Sequence, residues 1–211
     1  MTVEIKICGI NDASGLAAAV EAGADWVGFV FFPPSPRFVT PAQAAALAAR
    51  LPDWLSRVGL FVEPNEAEVA AALAEMRLDA LQVYDAPEKT ARLRARFGLP
   101  VWRPVGIATQ ADLPTAAEGA DRLVLEARAP AGASRPGGNA ARFDWSLPRD
   151  WTPPAPWMLA GGLTPDNVSQ AIRAAEATAV DVSSGVERRR GVKDPALIRA
   201  FVTAVRNSCR P

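Results

Sequence analysis

Short runs of β-branched and aromatic residues recur along the chain, each followed by a polar turn and then an alanine-rich stretch with apolar positions at helical spacing. Strands are expected to begin near Val3, Asp25, Arg57, Asp79, Val101, Arg122, Pro156 and Ala179. Helices are expected over SGLAAAVEAGA, PAQAAALAARL, NEAEVAAALAEMR, PEKTARLRARFG, PDNVSQAIRAAEA and DPALIRAFVTAV, with a weaker candidate in QADLPTAAEGA. Start and stop signals agree: Pro41 and Pro165 suit a first helical turn, and Gly23 and Gly98 fall just past an end.

One unit breaks the rhythm. The stretch ARAPAGASRPGGNAARFDWSLPRDWTPPAP after the sixth strand is rich in Gly, Pro and Ala and shows no clear helix. A loop of that length inside a compact domain is more often functional than accidental, so it is a candidate active-site loop.

Eight such units, averaging about 26 residues, fit either a closed (β/α)8 barrel or an open doubly wound sheet. No GxGxxG follows the first strand, and strand count and length suit a compact barrel. The expected fold is therefore α/β, a single (β/α)8 TIM barrel over residues 1–211, with a weak or irregular helix after strands five and six.

Composition narrows the chemistry. Hydrophobic residues make up 49% of the 211 residues and charged ones 22%, the usage of a soluble globular domain. Lysine plus arginine balances aspartate plus glutamate, 23 against 23, so nothing draws the protein to nucleic acid or an anionic membrane. MTVEIKICGI lacks the pattern of a signal peptide, and no long apolar run occurs, so a cytoplasmic protein is expected. The two cysteines, Cys8 and Cys209, are too far apart in sequence for a CxxC pair or a thiolate zinc cluster and are expected to be free thiols. The chain has no histidine, which removes Ser-His-Asp and Cys-His catalysis and His-supported metal centres together. Carboxylates, the thiol, amines and backbone dipoles are left to carry any reaction.

In a barrel, the C-terminal strand ends and the loops beyond them face the catalytic mouth. That rule gathers Cys8, Arg37, Gln82, Tyr84, Glu126, Gly161, Gly162, Asp181, Ser183, Ser184 and Gly185. LAGGLTPDNV and DVSSGVE place small residues after strands seven and eight. There backbone N–H groups, serine hydroxyls and a helix N-terminus can approach a phosphate. Cys8 is either a reactive thiol or a small hydrophobe at a strand end. Glu126 either faces the mouth or pairs with a base such as Lys6. Arg37 is either a solvated surface residue or a bidentate clamp for a ligand carboxylate. The run ERRRG at 187–191 reads as a solvated loop near the phosphate site.

Jointly, KICGI, GADWVGFVFFPPSPRFV, RVGLFV, LDALQVYD, GGNAARFDW, LAGGLTPDNV and DVSSGVERRRGVKD resemble the phosphoribosylanthranilate isomerases of tryptophan biosynthesis. The stretches occur in family order over nearly the whole chain. The resemblance implies a (β/α)8 barrel and an Amadori rearrangement, an aldose-to-ketose isomerisation, without metal or organic cofactor. It implies a small phosphorylated aromatic-sugar substrate, and it leaves the oligomeric state open. By the same resemblance Cys8 is the base, with Lys6 a candidate for lowering its pKa. Glu126 is then the acid, Arg37 holds the anthranilate carboxylate, Asp181 lies near the sugar hydroxyls, and Gly162, Ser184 and Gly185 bind phosphate.

Three stretches depart from the family pattern. Glu126 in LVLEA stands where the family has aspartate in LLD; QVYD, with Tyr84 and Asp85, replaces QLHG; and GGNA, with Asn139 and Ala140, replaces GGTG or GGSG. A working isomerase with a glutamate acid, an enzyme for another phosphorylated aldosylamine, and a noncatalytic phosphate-ligand binding protein all fit that combination.

Overall fold

The structure, a computed structural model, describes residues 2–129, 137 and 141–208. The strands are β1 (Glu4–Cys8), β2 (Trp26–Val30), β3 (Ser56–Val62), β4 (Ala80–Tyr84), β5 (Val101–Ile107), β6 (Arg122–Ala127), β7 (Trp157–Leu159) and β8 (Ala179–Val182). They pair in parallel and in chain order, and β8 returns to β1, so the sheet is a closed barrel rather than an open one. Each strand begins within one residue of its expected position.

Among the described residues, the helices are α1 (Ala13–Ala22), α2 (Pro41–Ala48), α3 (Glu66–Glu75), α4 (Pro87–Phe97), α5 (Val168–Ala175) and α6 (Pro195–Ser208). Their ends follow local chemistry. The Asp12 carboxylate accepts from the Gly15 amide to start α1, and Thr40 with Gln43 and Asn65 with Glu68 form reciprocal caps on α2 and α3. Gly23 and Gly98 end α1 and α4 in left-handed backbone, as expected. Pro41 sits in the first turn of α2, whereas Pro165 lies in the turn ahead of α5, whose N-cap is Asn167. None of these helices is long and apolar enough to cross a membrane.

The weak helix after β5 reduces to a 3-10 turn, Gln110–Asp112. Pro114 has no amide to extend it, and the Asp112 carboxylate is occupied by the amides of Ala108 and Thr109. After β6 no helix forms among the described residues. Phe143 is buried instead, and Trp145, Leu147 and Trp151 pack against the core, with the Trp151 indole donating to the Pro114 carbonyl at 2.9 Å. Irregular chain carrying large apolar side chains thus covers the barrel where helices are missing.

Side chains alternate across the sheet. Ile5, Ile7, Val27, Phe29, Leu81 and Val83 face the layer between barrel and helices. Val58, Ala80, Trp102, Val124, Met158 and Ala179 form a second cluster, the barrel interior. Both faces are buried, the condition under which parallel sheets are stable. At the N-terminal end of the barrel, Trp26 and Trp102 meet edge-on at 4.7 Å, and the Arg122 guanidinium lies over both rings, 5.6 and 4.9 Å from their centroids.

A repeated device holds the strand starts at that end. Asp25, Asp79 and Asp121, just ahead of β2, β4 and β6, accept the amides of Ile5, Arg57 and Val101, each at 2.8 Å. An arginine completes each aspartate: Arg206, Arg77 and Arg94 respectively.

Candidate active site

One step up the barrel from the apolar interior, the inward positions become polar. Lys6 on β1 is fully buried and donates to Asp181 on β8 at 3.0 Å and to Gln82 on β4 at 2.9 Å. The partner of Lys6 is therefore Asp181, not Glu126 as one reading of the sequence had it. Barrel closure explains this, because Lys6 and Asp181 are register neighbours on β1 and β8.

Two residues beyond Lys6, Cys8 reaches the mouth, buried but lining the pocket. Burial pushes the thiol up, Lys6 and Lys193 draw it down, Asp181 opposes them, and the net is a raised pKa. The lowering expected from Lys6 is thus present but overruled. Burial likewise acts against the Lys6 ammonium, yet Asp181 and Cys8 hold its pKa above the ordinary value. In the free protein Cys8 is a protonated thiol at neutral pH.

Of the site residues expected from the sequence, all but Gly185 line this one pocket. Glu126 closes β6 on one wall, and Tyr84 closes β4 beside it. Gly137, from the irregular stretch after β6, covers both: a methyl group built on it would strike the Tyr84 hydroxyl and lie 2.7 Å from each Glu126 oxygen. Only a residue without a side chain permits that approach. Asp85, at the former glycine of the family pattern, is not in left-handed backbone; it accepts from the Ala86 amide at 2.7 Å and pairs with Lys89 at the start of α4. No turn is lost there. Asn139, Ala140 and Cys209 lie outside the described residues.

Arg37, after β2, is buried rather than solvated, and lines the pocket. Its Nε and Nη2 donate to both oxygens of Glu187 at 2.6 and 3.0 Å. This fixes the guanidinium plane and leaves its Nη1–Nη2 edge for a ligand. Glu187 also accepts from buried Lys193 at 3.0 Å and from the Gly191 amide at 2.9 Å. Burial works against the Glu187 carboxylate, but the Arg37 hydrogen bond and Lys193 bring its pKa below the ordinary value. The run ERRRG is therefore a solvated loop only in part: Arg188, Arg189 and Arg190 are exposed, while Glu187 anchors Arg37. Nothing in the local composition singles Glu187 out. Its signal is spatial, since β9 (Glu187–Arg189) and β10 (Val192–Lys193) form a hairpin that folds Glu187 and Lys193 inward.

Beside Glu126, on the neighbouring strands β7 and β8, small residues form the wall. Gly161 and Gly162 adopt φ of 86° and 63°, conformations that L side chains rarely take, and Gly162 is tied by its carbonyl to the Asn167 amide group at 3.0 Å. Ser183 and Ser184 follow β8, with the Ser183 carbonyl accepting from Lys193 at 2.8 Å. The helix N-terminus expected here is a single 3-10 turn, Ser184–Val186. Gly185 does not line the pocket; any side chain on it would collide with the Leu163 carbonyl, so its part is to let the loops after β7 and β8 touch. The site thus sets a thiol, a carboxyl group and a phenol against a wall of glycines and serines, with a fixed guanidinium at the rim.

Known proteins share this arrangement's sequence and fold. Residues 5–204 match the family described as N-(5'phosphoribosyl)anthranilate (PRA) isomerase. An N-(5'-phosphoribosyl)anthranilate isomerase of Granulibacter bethesdensis is 54% identical over 209 residues, covering 99% of this chain and all of the relative. The solved phosphoribosyl anthranilate isomerase of Thermotoga maritima superposes with a TM-score of 0.84 at 33% identity, over 98% of this chain and 100% of that one. A further solved isomerase, in complex with reduced 1-(o-carboxyphenylamino)-1-deoxyribulose 5-phosphate, superposes with a TM-score of 0.81 at 32% identity, over 98% and 100% of the two chains. On a family match spanning nearly the whole chain and on relatives more than half identical along its length, this chain belongs to the N-(5'-phosphoribosyl)anthranilate isomerase family.

Proposed function

We propose that the protein isomerises N-(5'-phosphoribosyl)anthranilate to 1-(2-carboxyphenylamino)-1-deoxyribulose 5-phosphate, a step of tryptophan biosynthesis, by acid–base catalysis from Glu126 and Cys8. The observation that carries this reading is the convergence of those two groups on one pocket, with Gly161, Gly162, Ser183 and Ser184 on the strand ends between them. Family membership supports the reaction, and the shared pocket supports the roles.

The phosphate lies against the small-residue wall, where backbone N–H groups and serine hydroxyls donate. The anthranilate carboxylate meets the free edge of Arg37, and its ring lies along the apolar side formed by Val30, Phe32, Leu60 and Val62. Between them, protonated Glu126 gives its proton to the furanose ring oxygen as the C1–O bond breaks. The ring opens to a hydroxyl and a cationic Schiff base.

That cation changes the balance at Cys8. A positive charge forming beside a buried thiol favours its thiolate, so once the acid has acted the thiol passes its proton, through solvent, to the Glu126 carboxylate just formed. The thiolate removes the C2 proton, the C–H pair forms the C1–C2 double bond, and the iminium pair returns to nitrogen. Tautomerisation of the resulting enolamine moves the hydroxyl proton off oxygen and delivers a proton to C1. Ketone product, thiol and carboxylic acid are restored through exchange with these groups and solvent, and no cofactor enters the step.

The test is turnover of freshly generated phosphoribosylanthranilate by the purified protein, followed as loss of anthranilate fluorescence beside a Cys8→Ala control. Activity present in the first and lost in the second is expected. A protein that binds a product analogue but turns over no substrate would overturn the proposal.

A further inference from the structure

The Tyr84 phenol lines the mouth and has no task in this scheme. It sits on the inward face of β4 at the rim, two residues above Gln82, and shares the Gly137 cover with both oxygens of Glu126. A phenol there has a fixed neighbour. Gly137 lies close enough to both groups that a side chain on it would meet them, and the ring stands on the last residue of its strand.

We infer that Tyr84 is a positioning residue for the acid: its hydroxyl donates to one oxygen of Glu126, directs the other toward the substrate, and stabilises the carboxylate that forms on proton transfer. This rests on the isomerase reading of the site. The hydrogen bond is weak while Glu126 is protonated and becomes charge-assisted when the proton leaves, so it strengthens along the reaction coordinate. It suits a donor that never ionises. Burial, then Glu126 and Cys8, push the phenol well above its ordinary value, and it keeps its proton throughout the working range.

Among the described residues, the titratable and charged groups facing this pair come from several strands. They are Cys8 on β1 and Asp181 on β8, with Arg37 at the rim of the same pocket and Lys6 and Lys193 acting on Cys8 from behind it. Lys6 is committed to Asp181 and Gln82, and Arg37 and Lys193 are committed to Glu187. Tyr84 is the neutral donor of the set, so its removal changes the acid without changing the net charge of the mouth.

Tyr84→Phe keeps the ring and removes the donor. The expected result is a fall in kcat of about tenfold to a hundredfold with KM changed less than about twofold, the pattern of a group that acts in the transition state. A second measurement does not depend on turnover. In protein carrying 13C-carboxyl glutamate, the Glu126 signal, identified by its absence in Glu126→Gln, should titrate at higher pH in Tyr84→Phe than in the parent, because the donor favours the ionised form. An unchanged Glu126 titration overturns the inference, whatever the kinetics, and so does a rise in KM at constant kcat, which would make the phenol a substrate contact. Parent protein that titrates as expected but lacks turnover would instead count against the isomerase reading, leaving the Tyr84–Glu126 coupling intact.

Discussion

At the N-terminal end of the barrel, Asp25, Asp79 and Asp121 each hold one backbone amide and an arginine, Asp79 pairing with Arg57 as well as Arg77, and Arg122 is closed over by Trp26 and Trp102. At the mouth, polar groups of the same kinds are left with something in reserve. Arg37 has given one edge to Glu187 and keeps another, and Cys8 sits beside a cation yet retains its proton. The difference separates stability from function along one axis. Most polar groups below are matched to the chain itself, and those above are, on the proposed reading, the ones a ligand and a moving proton would complete.

Substitutions at the two ends should therefore fail in different ways. The largest effect is expected from Cys8→Ala and Glu126→Gln, each lowering kcat by about 10³-fold or more, as loss of a general acid or base does. Thermal melts of both should stay within a few degrees of the parent; a collapse of Tm would mean that the mouth also carries the fold.

Arg37→Ala should raise KM by about ten- to a hundredfold and also cost stability, because Glu187 and Lys193 are left buried without it. It is the residue at which the separation is least clean. A KM that does not move would place the anthranilate carboxylate elsewhere.

From the other end, Asp79→Ala strips the Arg57 amide of its acceptor and leaves buried Arg57 without its carboxylate. We expect a loss of about 3 kcal/mol, on the order of 6–12 °C in Tm for a domain of this size, with kcat and KM unchanged. Altered kinetics would show that the strand starts communicate with the mouth.

The smallest effect concerns protonation alone. In a Cys209→Ser background, alkylation of Cys8 by iodoacetamide should rise with pH only above the ordinary thiol range, since burial raises its pKa. Lys6→Gln should delay the rise further, because Lys6 is the largest influence holding it down. Rapid alkylation at neutral pH would contradict a protonated resting thiol.

The scaffold was legible because its signal is local and repeated. Alternation across a sheet buried on both faces marks each strand, and capping residues mark most helices, so strand starts agree to within one residue. Where a helix failed, the cause was also local: Pro114 and the use of Asp112 by its neighbours stop the turn after β5. Cys8, Glu126 and Arg37 could be placed at the mouth from strand ends alone. What escaped were the partnerships. Lys6 with Asp181 requires knowing that β8 returns to β1, and Glu187 with Arg37 requires a hairpin hidden in a run of arginines. The close cover of Gly137 over Glu126 has no sequence signature beyond a glycine in a glycine-rich stretch. Composition reports which elements form, but the pairs that tune a pKa are made by closure.

Among the described residues, the stack of Trp26, Trp102 and Arg122 floors the barrel interior at the end away from the Cys8 pocket. On the proposed reading, substrate and product would both pass through the mouth, so a departing ketose would leave along the path by which the next aldosylamine arrives. Sharing one pocket would make the product a competitor of the substrate, so accumulated product should raise the apparent KM and leave both proton transfers unchanged.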